Sequence, residues 1–159
     1  MSFLVDTEIS DLVSPGAEQP LAARVDTADI TNAQSAIQAA SLDLTIGEIF
    51  LPGTQGTERG AAQSPLSDYC LKTGETAVIK TKEILNVPQY LVGIGFPPAH
   101  LSRKGILTTN PGHIDPGYQG ALHLTLINMS REPFPLQRGN KILTVLFSRL
   151  EKCPATPYD

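Results

Sequence analysis

The chain has 159 residues, 18% of them charged, and a formal net charge of -4. That length allows a substantial core in a single domain spanning residues 1–159, and the charge gives no general electrostatic reason to bind nucleic acid. No apolar run approaches membrane-spanning length and no basic segment precedes a hydrophobic one at the N-terminus, so a soluble, cytoplasmic protein without membrane contacts is expected.

Taken in chain order, Thr7 to Val13 reads as a short amphipathic helix, with Thr7 as its cap and Pro15-Gly16 as its stop. Ser14 to Gln38 mixes polar and small residues with little period and is expected to run over the surface. Ser41 to Phe50 alternates as a strand, which puts Leu42, Leu44 and Ile46 on one face and Asp43 on the other, exposed or bonded to a turn. Pro52 to Ser67 is rich in Gly, Ser, Thr, Gln and Pro and is the expected mobile loop. Tyr69 to Leu71, Ala77 to Thr81, Tyr90 to Phe96 and Ala121 to Asn128 read as further strands. With 13 glycines and 13 prolines, this spacing suggests an antiparallel β-barrel or distorted sandwich rather than a helical bundle.

Asp115 is the foremost candidate for chemistry. It sits in Gly112-His-Ile-Asp-Pro-Gly-Tyr-Gln-Gly120, a Gly/Pro-framed turn just before an apolar strand, where a rigid sheet can hold a reactive side chain. The plain structural alternative is a carboxylate bonded to turn amides. His113 lies two residues before it, so in extended chain the two side chains share a face and can pair. His100, His113 and His123 fall in a loop, a turn and a strand, and Cys70 and Cys153 stand alone; neither set has the spacing of a metal site, and two reduced thiols are expected.

Gly112 to Gly120 resembles the pocket motif of the dCTP deaminase and trimeric dUTPase superfamily. Other segments resemble that superfamily in the right order. Phe3 to Val13 is similar to the short N-terminal helix of the deaminase branch, and Ala40-Ser-Leu-Asp-Leu-Thr-Ile-Gly47 to the early strand motif. Leu91-Val-Gly93 is similar to the strand before the phosphate-binding segment, and Arg138 to Phe147 to the late strand. The resemblance implies a mainly β protein: a distorted antiparallel β-barrel, jelly-roll-like, of the dUTPase fold, with a short N-terminal helix and an overall layout nearest the deaminases. It also implies a homotrimer with pockets between subunits, a pyrimidine deoxynucleoside triphosphate as partner, and magnesium carried on the nucleotide phosphates as cofactor. Asp43 would lie near a subunit or pocket wall.

The chain departs from the pattern in three places. Pro98-Ala99-His100 stand where Arg-Ser-Ser ordinarily grips the triphosphate, leaving Ser102, Arg103 and Lys104 as nearby donors; Arg103 matches the motif's second arginine. Thr125 stands where the deaminases carry a strand glutamate, and a threonine hydroxyl does not serve as a general base near neutral pH. After Phe147 the sequence resembles only the beginning of the family tail, without the glycine-rich arm that closes diphosphatase sites. The zinc-deaminase pair, His-x-Glu with Pro-Cys-x-x-Cys, does not occur.

The resemblance therefore implies a nucleotide hydrolase in which dUTP diphosphate hydrolysis is favoured over dCTP deamination, with Asp115 orienting the attacking water. His113, Tyr118, Gln119 and Thr125 would contact the nucleotide together with Ser102 and Arg103. Five of the six have a plainer role as well: a core tyrosine, a solvated turn glutamine, a β-branched strand residue, a turn serine, a structural arginine. The second reading is a catalytically impaired nucleotide-binding or regulatory homo-oligomer on the same fold.

Overall fold

The apolar alternation of the sequence is spent on strands whose pairings, among the described residues, are all antiparallel. The computed structural model describes residues 2–14, 16–17, 20–23, 35–109 and 112–158. In chain order these form β1 (Ser2–Phe3), α1 (Asp6–Val13), β2 (Ala22–Ala23), β3 (Ile37–Gln38), β4 (Ser41–Phe50), β5 (Asp68–Leu71), β6 (Thr76–Thr81), β7 (Ile84–Asn86) and β8 (Leu91–Phe96). Then follow α2 (Ala99–Arg103), β9 (Ile106–Thr109), β10 (His113–Ile114), β11 (Gln119–Gly120), β12 (His123–Asn128), β13 (Phe134–Gln137) and β14 (Lys141–Arg149).

The main sheet has nine strands, with the path β10-β8-β14-β4-β6-β12-β9 and with β1 and β3 attached to β14 and β4. Its two ends, β9 and β10, are separated in sequence only by residues 110–112. Four Cα–Cα steps span at most ~14 Å, so the sheet must curl until its ends nearly meet. Two small sheets, β11-β7-β2 and β13-β5, complete the wall. This is the mainly β, barrel-like architecture expected. Leu42, Leu44, Ile79, Leu91, Leu126 and Phe147 are fully or almost fully buried inside it, each contributing roughly 1.5–3 kcal/mol of transfer free energy.

Local expectations are corrected in four places. Helix α1 begins at Asp6 rather than being capped by Thr7: the Glu8 carboxylate accepts the Val5 N–H at 3.1 Å and also meets Arg149 at 2.9 Å. The Arg149 guanidinium first, and the Val5 amide second, hold the Glu8 carboxyl below its ordinary range. Pro15 of the expected stop lies outside the described residues. The stretch Ser14 to Gln38 is not all surface where it is described, because Leu21, Ala22, Ala36 and Ile37 are buried; their small or apolar side chains fit beneath α1 and the sheet.

Strand β4 matches its expected limits but is buried on both faces as far as Leu44. Asp43 is not exposed: at 6% exposure, its carboxylate accepts from Lys141 Nζ at 2.8 Å and Thr144 Oγ1 at 2.7 Å. The alternation then slips at a bulge between Ile46 and Glu48. A Cβ on Gly47 would meet the Lys82 amide nitrogen at 2.8 Å, so only glycine lets the two backbones approach there. The loop after β4 folds back on itself, with Leu51 N–H donating to Gly60 O, Gly60 N–H to Ser64 O, and Leu66 bridged to Ile49. His100 lies on α2, not in a loop.

Candidate functional site

Strand β10 decides where Asp115 points. His113 pairs with Ile94 and Ile114 with Gly93. Ile114 is turned inward at 3% exposure, against a Gly93 whose added Cβ would lie 3.1 Å from it. Alternation then turns His113 and Asp115 outward together, and His113 Nε2 stands 3.3 Å from Asp115 Oδ1. Among the described residues the carboxylate has this imidazole beside it and no hydrogen bond to a turn amide.

The backbone after Asp115 is braced on three sides. Tyr118 N–H donates to Asp115 O at 3.1 Å, Gly117 N–H to Val87 O at 2.9 Å, and Val87 N–H to Tyr118 O at 2.9 Å. The third brace comes from the C-terminal segment, which leaves β14 with Leu150 N–H on Tyr90 O and returns with Tyr158 N–H on Pro116 O at 2.8 Å. Gly117 has φ +92°, and a Cβ there would lie 2.9 Å from Tyr158 O. The Tyr118 and Tyr158 rings meet at 5.2 Å with planes 58° apart, a tilted pairing typical of aromatic quadrupoles. Burial first, and then the Tyr158 phenol, push the Tyr118 pKa up. Its hydroxyl donates to Ala121 O at 2.9 Å.

Tyr158 was not visible as a site residue in the sequence. The only cue is a Pro-Tyr pair near the end, far in sequence from the turn it touches. Gln119 is paired through the backbone with Asn86, and its exposed side chain lines a depression with Asn86, Gln89, Tyr90 and Tyr158.

The other candidates lie elsewhere on the fold. Leu101 buries α2 against the sheet, while Ser102 and Arg103 are exposed on it. Arg103 lines a second depression with Lys104, Gly105, Ser130, Arg131 and Glu132. Thr125 sits in β12 between Val78 of β6 and Thr109 of β9, half-buried. Among the described residues, no side-chain hydrogen bond or ion pair joins Ser102, Arg103 or Thr125 to Asp115. One chain therefore brings together His113, Asp115, Tyr118 and Gln119, with Tyr158 added.

Magnesium prefers six oxygen ligands, commonly one or two carboxylates and substrate phosphates. The turn offers the single carboxylate of Asp115, with one oxygen already against an imidazole. No group of three or more His, Cys, Asp or Glu side chains with metal-holding geometry occurs among the described residues. These donors do not fit a magnesium ion held by the protein itself.

The curled antiparallel sheet is of the dUTPase-like fold class. The family follows from direct comparison: the dCTP deaminase-like family profile matches residues 4–150, and the chain belongs to that family. The dCTP deaminase of Pyrococcus horikoshii is 33% identical over 128 residues, covering 79% of this chain and 77% of that protein. The dUMP-forming dCTP deaminase of Dictyoglomus thermophilum is 30% identical over 146 residues, covering 81% and 74%. Among solved structures, the 2'-deoxycytidine 5'-triphosphate deaminase of Agrobacterium tumefaciens superposes with a TM-score of 0.68 at 22% identity. The match covers 91% of this chain and 48% of that one, so the chain spans about half its length. A dUTPase variant from phage phi11 of S. aureus, whose structure details the coordination of a structural Mg(II) ion, superposes at 0.51 with 17% identity, covering 98% and 95%. At these identities the two superpositions establish the fold.

Proposed function

We propose that this chain, folding as one domain, binds a pyrimidine deoxynucleoside triphosphate in the cytoplasm as a homotrimer and hydrolyses dUTP to dUMP and pyrophosphate in preference to deaminating dCTP. The observation that carries the reading is the pair of positions Asp115 and Thr125: a half-exposed carboxylate on a braced turn, and a hydroxyl where a deaminase needs a second carboxylate. The relatives are named as dCTP deaminases, some of them as dUMP-forming.

In the proposed reaction Asp115 takes a proton from a water whose oxygen bonds to the α-phosphorus. The bond from that phosphorus to the bridging oxygen breaks, and pyrophosphate leaves with its electron pair. Tyr118 and Gln119 hold the nucleoside, and Arg103 and Ser102 reach the phosphates of a nucleotide bound between subunits. Any magnesium arrives on the nucleotide, and no step is assigned to it.

A specific observation favours a second reading. The α2 segment presents Pro98, Ala99 and His100 in place of an Arg-Ser-Ser grip, and the weakened phosphate hold suits a protein that binds a nucleotide as a signal without turning it over. The deciding experiment is a turnover assay with magnesium against dUTP and dCTP, resolving dUMP and pyrophosphate from deaminated dUTP. The hydrolase reading expects dUMP from dUTP. Deaminated product from dCTP without dUMP would sink it, and nucleotide binding with no product would establish the second reading.

A further inference from the structure

We propose that His113 is a positioning residue for Asp115: its ring, with Nε2 3.3 Å from Oδ1, limits how that carboxylate can turn and leaves Oδ2 as the oxygen open to a water. The inference rests on the Asp115 reading above. Its geometry stands independently. Residues 113 and 114 are fixed by pairing with β8, Ile114 is anchored in the core, and Pro116 and Gly117 are held by Tyr158 and Val87. The backbone on both sides of Asp115 is thereby set, but an aspartate that is 47% exposed still has its own two side-chain torsions to lose. The contact with Nε2 at 3.3 Å restricts them. It is the only histidine–carboxylate contact within ion-pairing distance among the described residues.

The chemistry gives the contact its importance. In the proposed reaction Asp115 is the one carboxylate assigned to the water, so its orientation decides whether that water is held in line. At 3.3 Å the pair is an ion-pair contact and not an aligned hydrogen bond, as catalytic contacts in open sites often are before they tighten.

The test has two arms. In dUTP hydrolysis, His113→Ala is expected to lower kcat about 10-fold with KM within about twofold, since a misplaced group costs rate more than binding. His113→Gln, which keeps an N–H donor, is expected to recover most of the loss. An unchanged kcat in His113→Ala, or a loss confined to KM, overturns the proposal. The second arm needs no turnover: three-bond NMR couplings read the χ1 rotamer of Asp115. One rotamer is expected to dominate in the wild type and to give way to averaging in His113→Ala. Unchanged couplings in that variant overturn the proposal. An inactive wild type whose couplings do change in that variant supports the pairing and removes only the hydrolase reading.

Discussion

The turn at Asp115 and the helix at Arg103 flank the two end strands of one curled sheet, and they are held very differently. The turn is fastened by Val87, by the Tyr158 backbone and by a ring-on-ring contact, so its residues have little freedom. The helix is fastened through one buried residue, Leu101, and carries Ser102 and Arg103 exposed on its surface. A braced acid suits chemistry that depends on position, whereas free cations suit a ligand, or a neighbouring subunit, that supplies their order on arrival. In the proposed function the acid that would orient the water is on the braced side, and Ser102 and Arg103, which would reach the phosphates, are on the exposed side.

The comparison breaks most directly at Asp115. Asp115→Asn is expected to cost at least about 100-fold in turnover, near 2.7 kcal/mol of barrier, while sedimentation and Tm stay unchanged; retained turnover would remove Asp115 from the chemistry. Next in size is Gly117→Ala, which puts a side chain at φ +92° and 2.9 Å from Tyr158 O. It is expected to cost about 2 kcal/mol of stability, read as a lower Tm and as faster proteolysis of the C-terminal segment. A Tm within error of wild type would mean the brace is slack.

A smaller effect is expected in alkali. The Tyr118 pKa is raised from 10.0 by burial and by Tyr158, so the folded state favours the neutral phenol. That contribution is complete below the unfolded pKa and is lost as pH rises through the higher folded value. Wild type should lose Tm above about pH 10 more steeply than Tyr118→Phe, and parallel curves would show that the ring contact carries no such linkage. Smallest is Arg103→Ala on the exposed side, expected to change stability by less than about 0.5 kcal/mol, any loss appearing only as weaker triphosphate binding in a titration. A marked fall in Tm would show that the helix is braced after all.

Much of the fold was legible because local pattern and tertiary role agree. The limits of β4 follow from its alternation, and the His113–Asp115 contact follows from a two-residue spacing in extended chain. The illegible parts are those where a distant partner decides. The bulge at Gly47 exists because the backbone of Lys82, in the bend between β6 and β7, approaches it. Asp43 is buried because Lys141 and Thr144 arrive from β14 to meet it, and Tyr158 joins the turn only through the return of the C-terminal segment. Helix α2 was hidden by its five-residue length behind Pro97 and Pro98, which read as loop.

The pairing of β4 with β14 also sets a waiting time. Asp43 and Lys141 are 98 residues apart in sequence, and a ribosome adds roughly 5–20 residues per second. For on the order of ten seconds, therefore, a long apolar strand is out of the tunnel with one edge unclaimed. Early in its life this barrel depends on whatever shelters β4, and slower translation between the two strands is expected to lower the yield of soluble protein.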